Sequence, residues 1–261
     1  MGYTKSQLME HMEQLQIHPK GTLLVHSSMK SIGEVEGGAE TVLEVLIDYM
    51  KEGLLVLPTH TWHTINAENP RFYLNTSASC VGLLTELFRK RKGVVRAKHP
   101  THSVAALGKD AEDFIKGYEF CETPCGRNSP WGKLLDRGAD IMLLGVDLRK
   151  NTFMHGVEEW ADVPGRLSKD YEKLYVVSEE GSEIVVHSRR HIGESWSEYF
   201  WKVDEIFERH QVMSKGKFGD AVVRLCKSEP MNQLLLKMLY INPNLFSDNT
   251  PLKDGLYKNL G

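Results

Sequence analysis

Residues able to do chemistry gather most densely in the stretch IMLLGVDLRKNTFMHGVEEW, residues 141–160. Ile141–Val146 is an apolar run interrupted by a glycine, the pattern of a buried strand. A polar link, Asp147–Lys150, leads to Asn151-Thr152, two candidate N-caps for a helix entering at Phe153 and ended by Pro164. His155 and Glu158 are three apart, so such a helix puts them on one face. The helix dipole disfavours a cationic imidazole at an N-terminus, which keeps the ring neutral and able to accept a proton. A carboxylate at Glu158 works the other way. It can hold one ring nitrogen and stabilise the imidazolium as it forms. Strand ends feeding helix starts are also where α/β proteins place ligands. The same spacing describes an ordinary surface pair, and these two residues alone do not choose between the readings.

Three other groups compete for the chemistry. His60/His63 and His99/His102 form two H-x-x-H pairs, with Cys121 and Cys125 nearby, and a zinc hydrolase would need three such ligands and a water. Both pairs fall in loops beside Thr or Pro, without a carboxylate to complete the set, so no metal is expected. Cys125 with His155 and Glu158 or Asp162 would make a thiol nucleophile, although a free Cys is more often an inert small hydrophobe. A serine triad lacks its G-x-S-x-G. The loop SSMKSIGEVEGGAE interleaves Ser27, Ser28 and Ser31 with Gly33, Gly37 and Gly38. Its hydroxyls and free N–H groups could cradle a phosphate or a pantetheine amide, or simply form a turn and helix cap. It matches neither the dinucleotide nor the P-loop pattern.

Elements must hold these groups in place. A helix runs from Thr4 to about Gln16, with Leu8, Met12 and Leu15 on one face. Strands are predicted at Thr22–His26 and Leu54–Leu57. The polar run Pro58-Thr59-His60-Thr61-Trp62-His63 after the second reads as site-lining. Helices are predicted at Ala39–Met50, Val81–Arg91 and Ala111–Lys116, an apolar segment at Val104–Leu107, and irregular chain over Ile65–Ser79 and Glu122–Lys133. Leu174–Val177 and Glu183–His187 flank a hairpin turn. Ser195–Glu208, carrying Trp196, then Gly219–Cys226 and Met231–Leu239 read as helices, and the tail from Asn242 as irregular.

The 261 residues fit one large α/β domain. A net charge of −3 gives no basic excess for nucleic acid. No apolar run reaches the ~18 residues of a membrane span, and the N-terminus has no apolar signal core. A cytoplasmic protein with no membrane partner is therefore expected. Four cysteines need no disulfide framework.

The blocks VHSSMKSIGEVEGGAE, LLVLPTHT, HPTHSVAALG, PCGRNSPWGKLL and LLGVDLRKNTFMHGVEE occur in this order between Val25 and Glu159, within a match that covers roughly residues 5–240. Together they closely resemble the aminoglycoside 3-N-acetyltransferase family, antibiotic N-acetyltransferases distinct from the GNAT superfamily. The resemblance implies a single-domain α/β/α sandwich around a central mixed β-sheet, with acetyl-CoA and a small-molecule amine entering one cleft from different sides. It implies a catalytic pair at His155 and Glu158. It implies coenzyme contacts at His26, Ser27, Ser28, Lys30, Ser31, Gly33, Val35 and Ser103, and acceptor contacts at Thr59, Asn151 and Glu159. The acceptor would be the 3-amino group of a 2-deoxystreptamine aminoglycoside, with antibiotic resistance as the outcome, or a related amine. A homodimer is also implied. One feature departs from the family: Ile65–Ser79 offers only Glu68 as an acid, where resistance enzymes present acidic acceptor clefts.

Overall fold

The computed structural model describes residues 2–193, 197–252, 255, 257 and 260. In chain order it contains α1 (Lys5–Gln14), β1 (Thr22–Ser27), α2 (Gly38–Tyr49), β2 (Leu54–Pro58), β3 (Arg71–Tyr73), α3 (Leu83–Phe88), β4 (Val95–Arg96), β5 (Val104–Gly108) and α4 (Ala111–Ile115). There follow α5 (Pro130–Asp136), β6 (Asp140–Leu144), α6 (Thr152–Trp160), β7 (Glu172–Val177), β8 (Glu183–Ser188), α7 (Asp204–Arg209), β9 (Met213–Phe218), β10 (Ala221–Lys227) and α8 (Ser228–Ile241). Local chemistry sets the ends. Thr4 and Gln7 cap α1 reciprocally. Ser129 accepts from the Trp131 N–H, and Pro130 opens α5, where its missing N–H costs nothing.

A seven-stranded mixed sheet runs β4-β5-β2-β1-β6-β10-β9. Only β2, β1 and β6 are parallel to one another; the outer pairings are antiparallel. Alternation along the central strands divides the core in two. Leu23 and Val25 of β1, Leu55 and Leu57 of β2, and Met142 and Leu144 of β6 face Leu8, Val42, Leu46 and Phe88 of α1, α2 and α3. Leu24, Val56, Ile141 and Leu143 face Phe114, Trp131, Phe153 and Leu235 of α4, α5, α6 and α8. This is the expected sandwich. Its three parallel strands all end at one edge, where ligands collect in such sheets. A three-stranded sheet, β3-β7-β8, has its own small core around Phe72, Leu174, Val176 and Val186.

The chain departs from the sequence reading in three places. Gly219–Cys226, expected helical, forms the turn and most of strand β10. Ala221, Val223 and Leu225 pack on the first layer and Cys226 on the second, a period of two. Gly219-Asp220 is a two-residue hairpin loop with Gly219 at φ 61°, so β9 pairs straight back onto β10. The long loop after β2 contains β3, which pairs with β7. The expected helix from Ser195 is a 3₁₀ stretch, Ser197–Val203, before α7; Ser195 and Trp196 lie outside the described residues. No helix among the described residues is long and apolar enough to cross a membrane.

Candidate active site

A cavity of about 610 Å³ opens at the edge where β1, β2 and β6 end. His26 and Ser27 of β1, Pro58 of β2 and Val146 after β6 contribute to it, as do Asn151, Thr152 and His155 at the start of α6. The connection that follows α6 adds Arg166, and the chain leaving β8 adds Arg190, His191 and Ile192.

His155 sits on the first turn of α6, with its Nδ1 2.9 Å from Glu158 Oε2. The Glu158 carboxyl is 1% exposed and the His155 side chain 17%, so the ring reaches the cavity and the carboxyl does not. Arg166 Nη2 lies 3.0 Å from the same Oε2 and 2.9 Å from His155 Nδ1. Its Nη1 donates to the Ile192 carbonyl. A guanidinium can only donate, so both donors converge on one carboxylate oxygen if Nδ1 carries the proton. The Glu158 contact is met with the proton on Nδ1 and the Arg166 contact with Nδ1 as acceptor; the first of these tautomers leaves Nε2 as the acceptor. Burial pushes the His155 imidazolium well below its ordinary range, and the neighbouring His191 adds to this. Burial raises the Glu158 carboxyl to about 7, with Arg166 opposing the rise. Desolvation thus drives the pair toward neutrality, and Arg166 is the cation that favours the ionised carboxylate.

A second imidazole–carboxylate pair lies beside the first. His191 Nε2 is 2.6 Å from Glu159 Oε1, which also accepts the Cys125 N–H at 2.8 Å. The His155 and His191 ring centroids are 5.0 Å apart. His60 and His102 complete the polar wall, 4.9 Å apart, with His60 Nε2 3.1 Å from the Thr152 hydroxyl. Burial pushes both well below the ordinary imidazole range and His26 down to about 3, so these rings are neutral at pH 7. Among the described residues the charged lining groups are Arg149, Lys150, Arg166, Arg190 and the acid Glu198.

Comparison with known proteins bears directly on this arrangement. The sequence profile described as aminoglycoside 3-N-acetyltransferase matches residues 24–240. The chain belongs to the aminoglycoside 3-N-acetyltransferase family. It is an acyltransferase on that ground, and its relatives agree. It is 31% identical over 252 residues to the SPbeta prophage-derived aminoglycoside N(3')-acetyltransferase-like protein YokD of Bacillus subtilis (strain 168), covering 85% of this chain and 87% of that protein. It is 31% identical to aminoglycoside N(3)-acetyltransferase VII of Streptomyces paromomycinus, covering 68% of this chain and 67% of that one. Among solved structures, a mutant of aminoglycoside acetyltransferase AAC(3)-IVa in complex with a gentamicin superposes with a TM-score of 0.82 at 26% identity, covering 94% of this chain and 92% of that chain.

The residues expected to form a family-type site are only partly brought together. His155, His26, Ser27 and Asn151 line the cavity, with Glu158 directly behind His155. Glu159 does not line it; its carboxyl is 4% exposed and faces His191 and Cys125. Thr59 and Ser103 are also outside the lining. The Thr59 hydroxyl accepts from Arg96, and the Ser103 hydroxyl donates to the Ala97 carbonyl at 2.6 Å. Ser28, Lys30, Ser31, Gly33 and Val35 continue the chain from Ser27 away from the lining. The Ser31 hydroxyl lies 3.0 Å from the Gly145 carbonyl, to which it can donate, and 2.9 Å from the Ser28 hydroxyl, fastening the turn to the end of β6. Gly33, at φ 85°, lies where a Cβ would meet Asp220 Oδ2 at 2.1 Å, so the β9–β10 hairpin requires the glycine. Val35 packs in the core beside α2.

The H-x-x-H pairs do not assemble a ligand set. His63 is exposed beside Trp62, and His99 Nδ1 accepts the Thr101 and His102 N–H groups. Among the described residues the one trio of closely spaced ligand atoms is Cys125, Glu159 and His191, within 4.8 Å of one another. Glu159 Oε1 is already taken by the Cys125 N–H and His191. Burial, then Glu159 and Glu158, push the Cys125 thiol well above its ordinary range, away from the thiolate a metal or a nucleophile needs. Sequence reasoning missed Arg166 and His191. Pro164-Gly165 just before Arg166, and the basic run ending at His191, were their only local signals.

Proposed function

We propose that the chain transfers the acetyl group of acetyl-CoA to the 3-amino group of a 2-deoxystreptamine aminoglycoside or a related amine, by direct attack within a ternary complex. The observation that carries this is the His155–Glu158 pair at 2.9 Å, its carboxyl buried and its ring on the cavity wall. An ammonium has no lone pair, so the attacking nitrogen must lose protons. His155 Nε2 accepts one during attack, while Glu158 fixes the ring and offsets its charge, a contribution of about 10²–10⁴ in rate. Arg149 and Lys150, both exposed at the cavity, supply charge for the coenzyme phosphates. Fixed polar donors at the chamber wall hold the thioester oxyanion. Membership of the family supports acetyl-CoA as the donor and an amino sugar as the acceptor.

The testing experiment follows thiol release from acetyl-CoA across a panel of amines, with and without a chelator. Amine-dependent release, unchanged by EDTA, is expected. Absence of release with every amine would remove the transferase reading. Release abolished by chelation would favour a metal-dependent hydrolase at the cavity.

A further inference from the structure

We propose that His191, held by Glu159, is a second catalytic base that strips the first proton from the incoming ammonium, leaving His155 for the proton lost during attack. The proposal rests on the acetyl-transfer reading above. Its starting point is stoichiometric. An R–NH₃⁺ group must lose two protons to become an amide N–H, and one imidazole lone pair takes one proton at a time. The cavity carries two imidazoles on successive carboxylates of one helix. Glu158 serves His155 through Nδ1 and Glu159 serves His191 through Nε2. Both rings line the same cavity, their centroids 5.0 Å apart, a spacing at which one amine nitrogen can be served by both. With Nε2–H donating to Glu159 Oε1 at 2.6 Å, His191 Nδ1 is left as an acceptor.

The groups around His191 suit a transient cation. Glu159 faces it from α6 and is held in place by the Cys125 N–H. The Cys125 thiol beside it is kept neutral by burial. His102 packs edge-on at 5.1 Å and is neutral for the same reason, as are His60 and His99 beyond it. Arg166 is the nearest cation of the first pair, and its charge is met by Glu158. Arg190, next in the chain, is paired with Glu172. His155 is kept neutral in the resting site by burial, so the two rings do not both carry charge before the amine arrives.

The steps balance. R–NH₃⁺ gives one proton to His191 Nδ1. The freed lone pair attacks the thioester carbonyl carbon, forming the C–N bond while the π pair moves to oxygen. The remaining excess N–H proton passes to His155 Nε2. The oxyanion pair re-forms C=O, the C–S bond breaks with its pair on sulfur, and sulfur takes the proton from His155 Nε2. His191 returns its proton to solvent, so the products are the amide, coenzyme A thiol and one proton.

The division of labour predicts a dependence on the acceptor that a structural role does not produce. His191→Gln is compared with wild type at pH 7 using an alkylammonium acceptor such as an aminoglycoside and an amine already neutral at that pH, such as an alkoxyamine. With the ammonium acceptor, kcat/KM should fall about 10–10²-fold and recover as pH approaches the amine's own pKa, because solvent then does the deprotonation. With the neutral amine the fall should be under about threefold. His155→Gln should lose activity toward both acceptors. Glu159→Gln, a near-isosteric change, should repeat the His191 selectivity in milder form and guards against a folding defect at position 191. Equal losses on both acceptors, or no loss on the ammonium acceptor, would overturn the proposal. No thiol release by the wild type with either amine would remove the transfer reading and the proposal together.

Discussion

Replacing His155 with glutamine is expected to lower kcat by about 10² or more while leaving acetyl-CoA affinity close to wild type. Glutamine keeps the length of the side chain and can still meet Glu158, but it has no basic nitrogen to take the amine's proton. The coenzyme contacts proposed for the β1 end of the cavity, where His26 and Ser27 line it, are untouched. Isothermal titration with acetyl-CoA and steady-state rates at saturating amine separate the two effects. Cys125→Ser gives the matching control. Its thiol is fully buried, pushed up by burial, and directed at the Thr152 carbonyl at 3.9 Å. No acetyl-enzyme is needed for direct transfer, so that variant should stay active and double-reciprocal plots should intersect rather than run parallel. A Cys125→Ser enzyme as inactive as His155→Gln, or a trapped acetyl-Cys125, would move the nucleophile to sulfur.

The second large effect is expected at Arg166. The pair it forms with Glu158 is buried on both sides, at 3% and 1% exposure. Removing one partner of such a pair costs about 3–5 kcal/mol when the other stays charged. Arg166→Met should therefore lower the melting temperature, and more at pH 8 than at pH 5. The sign follows from Glu158, whose folded pKa of about 7 already lies above its ordinary 4.5. The folded state then holds more protons than the unfolded chain between these values, so stability is fullest below 4.5 and is lost as pH rises through 7. Without the guanidinium the carboxyl titrates higher still, and the loss extends further into the alkaline range.

Activity should move in the same direction. A proton taken up by the coupled pair, on either partner, leaves His155 Nε2 protonated and the base spent. The acid limb of kcat should lie near pH 7 in the wild type, set by the pair, and move to higher pH in Arg166→Met. At pH 7 kcat should fall about tenfold or more and be largely regained by pH 9. Arg166→Lys keeps the charge and should keep the profile near its wild-type position. A uniform loss at every pH would reduce Arg166 to a packing role.

The half of the site that was legible in the sequence came from short-range pattern. The buried run to β6, the polar link, and His155 and Glu158 at helical spacing are local features, and the structure keeps each of them. His60 and Trp62 after β2 were legible for the same reason, as part of a polar, aromatic run following a buried strand. Arg166 and His191 were not, because they reach His155 from beyond the end of α6 and from the far end of β8. Neither carries a spacing that says where the chain returns. Glu159, an acceptor contact by the family resemblance, lies one residue beyond Glu158, and its carboxyl turns from His155 to His191, a direction set by where β8 ends. Gly33 read as part of a coenzyme cradle, but its demand for space comes from Asp220 on a hairpin distant in sequence. The β9–β10 hairpin was readable in principle. Gly219-Asp220 is a two-residue turn signal, and Ala221, Val223 and Leu225 alternate along the strand that follows it.

The charge of the cavity bears on the acceptor. Among the described lining residues four are cationic and one, Glu198, is acidic, and Glu68 of the long loop is exposed outside the lining. A polycation gains most where carboxylates replace its lost hydration. The direct measurement is the identity of the product after incubation with acetyl-CoA and gentamicin, read by mass spectrometry and NMR. The account predicts one added acetyl group, carried as an amide on the 3-amino nitrogen, with one coenzyme A thiol released per amide. Gentamicin recovered unchanged while acetyl-CoA is hydrolysed to acetate, or an acetyl group carried on an oxygen, would contradict it.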